Sequence, residues 1–214
     1  MKKLTKTQDY NMNKNKTILS LCSGTGAWES PYVNAGYNVI SITLPQHDVT
    51  TYIPPDNVYG ILAAPPCTEF SIVRNRDIFK DFDGAMKIVN ACLNIIKMTS
   101  PVFWALENPI GYLSTFLNKP RFSFQPYEFG DAWTKRTQIW GDFTIPHKTH
   151  TWALSKKIQE LYIRPGRDKP SMACLHKSQK KYMPGLSKFS AKTDAEFRAM
   201  TPQGFAQAFY KANK

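Results

Sequence analysis

Tyr59-Gly60-Ile61-Leu62-Ala63-Ala64-Pro65-Pro66-Cys67-Thr68-Glu69-Phe70-Ser71 is the stretch from which the fold is read. Its apolar first part, Tyr59 to Ala63, predicts a buried strand. Pro65 and Pro66 stop that strand, because neither has an N–H to give a sheet ladder and each fixes φ. Cys67 follows at once, at the strand's carboxyl end, where open α/β sheets place their ligands. Two readings of Cys67 stand at this point. It is either a presented nucleophile or a small apolar residue in a turn.

Working outward, the chain alternates strand and helix. Thr17 to Cys22 predicts a first strand, running into Ser23-Gly24-Thr25-Gly26-Ala27-Trp28-Glu29 and a helix ending near Ala35. A strand, a glycine-rich turn and a helix make a cradle for a nucleoside cofactor, since glycine lets the backbone approach closely. An ordinary tight turn is the competing reading. Gly36 closes the helix and Tyr37 to Leu44 predicts a second strand, after which Asp48 either reaches a cofactor adenine or caps a turn. Polar Arg74-Asn75-Arg76-Asp77 follows the cysteine loop and reads as mobile; Asp83 to Thr99 then carries Ala85, Ile88, Val89, Cys92, Ile95 and Ile96 at helical spacing. Val102 to Leu106 predicts another buried strand, which delivers Glu107-Asn108-Pro109 to its carboxyl end as the earlier one delivered Cys67. Leu113 to Leu117 predicts a helical turn, and Gln125 to Trp140 further strands, with Lys135-Arg136 a concentrated positive spot. Thr193-Asp194-Ala195-Glu196 resembles a capping box, and Thr201-Pro202 starts a helix whose Phe205, Ala208, Phe209 and Ala212 face the sheet. The fold class is α/β.

The 214 residues fit one domain, or one domain with a small appendage, and 42% hydrophobic content supports a packed core. No run approaches the roughly 18 apolar residues of a membrane span, and no signal-peptide core stands at the N-terminus. Cys22, Cys67, Cys92 and Cys174 are scattered, a pattern suited to free thiols in a reducing cytoplasm. The net charge of +12 is segregated. Residues 1–16, a polar tail expected to be flexible, carry +4; residues 17–142, the expected α/β core, carry −2. Residues 143–192, aperiodic and loop-rich, carry +9, and 193–214 add +1. Charge gathered beside a neutral core suits a polyanion, whose counterions it releases; a basic surface kept for solubility is the competing reading. His147, His150, Cys174 and His176 match no common zinc spacing, so no metal is expected. Trp133, Trp140 and Trp152 read as core or interface rather than base-stacking platforms.

A thiol and a carboxyl at neighbouring strand ends, with Arg136 in reach, suit addition to an electron-poor ring. The thiolate attacks carbon while the acid stabilises charge on a ring nitrogen. That chemistry leads us to expect a thiol pKa lowered by arginine or backbone amides.

Ser-Gly-Thr-Gly at 23–26, Pro-Pro-Cys-Thr-Glu-Phe-Ser at 65–71, Glu-Asn-Pro at 107–109 and Lys-Arg-Thr-Gln-Ile-Trp at 135–140 occur in this order. In them the chain resembles the C5-cytosine DNA methyltransferases, most closely the compact type found in phages. The resemblance covers residues 17–142 and resumes in Thr-Pro-Gln-Gly-Phe-Ala-Gln-Ala-Phe at 201–209. It implies a Rossmann-like S-adenosylmethionine-dependent methyltransferase fold with a small basic recognition insert at 143–192 and C-terminal helices packing back on the core. It further implies S-adenosylmethionine at Ser23, Gly24, Thr25 and Gly26, flanked by Trp28 and Asp48, with Pro65 and Pro66 at the junction of cofactor and base. Cys67 is expected to add to C6, Glu107 to hold N3 and the exocyclic amine, and Arg136 to support the O2 side. Pro66, Thr68, Phe70, Ser71, Asn108 and Lys135 complete the expected substrate contacts. The resemblance also implies DNA as the partner, with the cytosine flipped from the duplex.

The chain departs from the family's pattern in four places. Thr43 stands where a carboxylate usually meets the cofactor ribose, and Thr134-x-Arg136-x-Gln138 keeps one arginine of Gln-x-Arg-x-Arg. Pro109 replaces the commoner valine, and the recognition block is short. Two further readings stay open: the same chemistry on RNA or a free cytosine nucleotide, and a non-catalytic nucleic-acid-binding protein that keeps the fold.

Overall fold

The computed structural model describes residues 12–72 and 79–214. Most of the lysine-rich tail and the Arg74–Asp77 stretch lie outside these. Of the tail, Asn13 is buried and its side-chain amide donates to the Ala35 carbonyl at 3.0 Å, so ordered chain begins before the first strand.

Six strands form one sheet in the order β2-β1-β3-β4-β6-β5. They are β1 (Thr17–Leu21), β2 (Asn38–Ile42), β3 (Val58–Ala63), β4 (Phe103–Pro109), β5 (Phe122–Phe124) and β6 (Thr137–Asp142). β2, β1, β3 and β4 run parallel; β6 runs antiparallel to β4 and to β5. The chain winds outward from β1 in both directions, to β2 on one side and β3 on the other. The crevice at the β1/β3 carboxyl ends is therefore the topological switch point of a doubly wound sheet. The glycine loop leaves β1 there, and the cysteine loop leaves β3.

Alternation along the strands divides the core. Leu19, Leu21, Ile61, Ala63 and Leu106 face helix α2 (Phe82–Thr99), which buries Val89, Cys92, Ile95 and Ile96 against them. The Asp81 carboxylate caps α2 by accepting from Gly84 N at 2.8 Å. Ile18, Leu62, Phe103 and Ala105 face the other way, onto α1 (Ser30–Asn34) and α5 (Gln203–Ala212). There Phe205 and Phe209 from α5 meet Trp28, Tyr32 and Phe124, with Phe124 and Phe205 stacked at 3.9 Å between ring centroids. The helix from Pro202 thus packs on the sheet through the face its spacing predicts.

The short helix α3 (Leu113–Phe116) follows β4, and a 3-10 turn at Pro126–Phe129 interrupts the β5–β6 hairpin. The basic block has 3-10 turns at Met172–Cys174 and Lys177–Tyr182. Leu161, Met172, Leu175, Met183 and Leu186 from this block pack with Trp133 and with Phe197 of α4 (Asp194–Ala199) into a separate apolar cluster. Thr193 caps α4 as its sequence suggests, accepting from Glu196 N, whereas the Glu196 carboxylate takes the Lys192 amide rather than that of Thr193. Among the described residues no helix is long and apolar enough to cross a membrane.

Candidate active site

The cysteine loop is fixed by its own backbone and by the exit of β4. The Cys67 carbonyl accepts from Phe70 N at 3.1 Å and Ser71 N at 2.8 Å, a tight turn that follows directly from the two prolines. Asn108, fully buried, donates its amide to the Pro65 carbonyl at 3.1 Å. Tyr112 N donates to the Phe70 carbonyl at 2.8 Å. Gly111 comes so close that a Cβ there would lie 2.0 Å from the same oxygen. The segment carrying the carboxyl therefore also holds the segment carrying the thiol.

Glu107 is buried near the end of β4, where it pairs with Ile139 of β6. Lys135 Nζ stands 3.7 Å from its Oε1, with both side chains about nine-tenths buried. Arg136, which the sequence reading put in the catalytic group, is exposed at the rim of the cleft, and its carbonyl accepts from Ile110 N at 2.9 Å. Successive residues entering β6 point to opposite sides, so only one of the Lys-Arg pair can face the acid. Lys135 is the one.

Burial pushes the Cys67 thiol above its ordinary pKa; Lys135 pulls it down, and Glu107 pushes it up. Desolvation wins because it is the largest of these effects at a thiol that is mostly buried. The expected lowering is thus corrected: this pocket holds Cys67 as a thiol.

The cleft has two joined compartments that share Cys22, Ala64, Pro66, Cys67, Pro109 and Lys135. The inner one, about 130 Å³, is lined by Ser20, Ser23, Gly24, Thr25, Trp28, Glu29, Pro65 and Glu107. The outer one, about 860 Å³, takes in Thr43, Leu44, Asp48, Val49, Thr68, Ser71, Arg136 and the tip of the basic block at Ser171–Ala173. Gly26 turns the glycine loop, donating its N–H to the Ser23 carbonyl at 3.3 Å, without lining the cleft. Gly24 has φ +58°, and nothing lies within 4 Å of where its Cβ would stand, so the loop is open on its cleft side. Asp48 lines the outer compartment and caps a turn as well, its Oδ1 accepting from Thr50 N and Oγ1, each at 2.8 Å.

Two of the expected contacts are mainly packing. Phe70 is fully buried among Phe82 and Phe116, away from the cleft. Trp28 is buried edge-on to Phe209 and shows only a flank to the inner compartment. Four residues bordering the cleft, from two places in the chain, were not read from the sequence. Glu29 is 97% buried at the glycine loop (3% exposed). Cys22 sits at φ +57° on the loop's first turn. Glu196 and Ala199 close the cleft from α4. The first two lie beside the glycine motif, which was a signal; nothing local marked the other two. Among the described residues, no three His, Cys, Asp or Glu side chains converge as a metal site. His176 instead faces Asp194 at 3.5 Å and Ser178.

No family model matches the chain. Type II methyltransferase M.DdeI of Desulfomicrobium norvegicum (strain DSM 1741 / NCIMB 8310) is 29% identical over 128 residues, 45% of this chain and 28% of that protein. The match thus spans less than a third of its relative's length. A prophage-encoded protein of E. coli, assigned as a DNA modification methyltransferase, aligns with a TM-score of 0.45 at 16% identity over 72% of this chain and 51% of its own. S. pombe Dnmt2 methyltransferase aligns at 0.40 and 16% identity over 72% and 58%. The open face of the glycine loop and the buried, half-satisfied Glu29 carboxylate beside it fit S-adenosylmethionine, the methyl donor this similarity implies. In its ordered motifs, its doubly wound sheet and its 128 matched residues, the chain is similar to DNA methyltransferases, and by those motifs to the C5-cytosine group among them.

Proposed function

We propose that the protein methylates C5 of cytosine in DNA, with Cys67 adding to C6 of the base and Glu107 holding its N3 and exocyclic amine. The observation that carries this reading is the convergence of Cys67, Glu107 and Lys135 on a cleft whose other end is the glycine loop. Bound S-adenosylmethionine supplies an electrophilic methyl group on its sulfonium. Cys67 gives its proton to water and bonds through Sγ to C6, which places electron density on C5. Glu107 carries the hydrogen bond at N3 that lets the ring take up that density. Once C5 is methylated, its proton passes to water and the Sγ–C6 bond breaks, which restores the ring and releases Cys67 as a thiolate for reprotonation by solvent. Glu107 acts here as the acid that donates to N3, and Lys135, 3.7 Å from its Oε1, favours the Cys67 thiolate.

A stacked base cannot reach a carboxyl that is only 8% exposed beneath the proline loop. The cytosine therefore leaves the stack, costing a few kcal/mol that contacts in the pocket offset. The +9 block at 143–192 reaches the outer compartment through Ser171–Ala173 and supplies phosphate contacts around that opening. The test uses a random-sequence duplex library containing 5-fluorocytosine, incubated with the protein and S-adenosylmethionine. Fluorine at C5 blocks the final elimination, so a denaturant-stable complex should accumulate with the wild type and not with Cys67→Ala. No complex with the wild type would sink the adduct mechanism.

A further inference from the structure

Among the described residues, Glu29 is the acidic side chain at the cleft with a carboxyl oxygen that is both sealed from solvent and without a hydrogen-bond partner. Glu107 faces Lys135, the Glu196 carboxylate takes the Lys192 amide, and Asp48 is exposed and turned onto Thr50. Glu29 is 3% exposed; its Oε1 accepts from Ser41 Oγ at 3.3 Å, and its Oε2, sealed from solvent, has no hydrogen-bond partner. The hydroxyls of Ser20 and Ser23 also stand beside the carboxyl, and burial drives its pKa up despite them. No Lys, Arg or His among the described residues forms an ion pair with it. A carboxylate in that position is costly unless it meets a proton or a cation with N–H groups to give.

The division of the cleft says which cation. Adenosine is assigned to the larger, outer compartment beside Thr43, Leu44 and Asp48, and the sulfonium to the place where the compartments meet at Cys67. The amino-acid tail then enters the inner compartment, where Glu29 waits. Thr43 leaves the end of β2 without a carboxylate, and Glu29 is the buried carboxyl that lines the inner compartment beside the glycine loop. We propose that the Glu29 carboxyl receives the α-ammonium of the methyl donor, with Ser20 and Ser23 as neighbouring acceptors, and so anchors the tail rather than the nucleoside. This rests on the reading that S-adenosylmethionine occupies the cleft.

The test is a calorimetric cycle with two proteins and two ligands: wild type and Glu29→Gln, each titrated with S-adenosylhomocysteine and with its analogue lacking the α-amino group. The wild type should prefer the amine by at least tenfold, and Glu29→Gln should reduce that preference below about threefold. Both ligands are measured on the same protein, so a variant that folds less well scales both affinities and leaves their ratio intact. Equal affinities on the wild type, or a preference unchanged in Glu29→Gln, would overturn the assignment while leaving the cofactor reading standing. A wild type that binds neither ligand would overturn both.

Discussion

Cys67 and Lys135 show how one pair of charges and one burial set the chemistry of the site. Burial raises the thiol's pKa, and Lys135 is the group pulling it down. Peptide-resolved iodoacetamide labelling of Cys67 should therefore rise with pH to a midpoint above that of free cysteine. Lys135→Met should label more slowly still at neutral pH; faster labelling in that variant would contradict the electrostatic account. Glu107→Gln keeps the shape of the site but loses the charge and the proton. Methyl transfer should fall by about 10²–10⁴-fold, with S-adenosylhomocysteine binding retained. Cys67 and Glu107 were legible in the sequence because each ends an apolar run, and a strand end is a place that periodicity can locate. Choosing Lys135 over Arg136 was not, because adjacent residues point to opposite sides and the register of β6 is set by pairing with β4 and β5. Glu29 reads in sequence as the start of a helix. Its burial comes from the turn of the glycine loop.

At the scale of elements, the loops at the site are stapled rather than free. Gly111 tests this, because a methyl there would collide with the Phe70 carbonyl. Gly111→Ala should cost about 1–3 kcal/mol in denaturant unfolding and lower activity by displacing the cysteine loop; an unchanged midpoint would contradict the close approach. Asp131 gives a pH signature to the start of α5. Burial raises its pKa to about 7, while the Gly204 N–H at 3.2 Å opposes the shift. The folded state therefore holds this proton more tightly than the unfolded chain does. Its contribution to stability is fully present below about pH 4 and is lost as pH rises toward 7, on the order of 1 kcal/mol per pH unit. Asp131→Asn should remove that loss, so the variant gains on the wild type between pH 5 and pH 8 in urea unfolding. A constant difference would refute it. β1 to β4, α2 and α5 were readable because each carries its apolar period over enough residues. The cluster under the basic block was not, because Leu161, Met172, Leu175, Met183 and Leu186 come from irregular backbone with no period to follow.

Across the whole molecule, charge and cleft are arranged together. The basic block packs on its own apolar cluster and on α4, and both border the outer compartment. Its exposed Lys156, Arg164 and Arg167 are available to phosphates, and Trp152 lies between Lys157 and Lys169. Duplex affinity should fall steeply with salt, and replacing Lys156, Arg164 and Arg167 with alanine should lower the log–log slope by roughly 2–3 without changing S-adenosylhomocysteine affinity. A flat slope would favour a free nucleotide as substrate instead. The central claim, transfer to C5 of cytosine in DNA, is tested most directly by digesting DNA from cells expressing the protein and resolving its nucleosides by mass spectrometry. The account predicts 5-methyldeoxycytidine with the wild type and none with Cys67→Ala. Methylation on an exocyclic nitrogen, or 5-methyldeoxycytidine undiminished in Cys67→Ala, would contradict it.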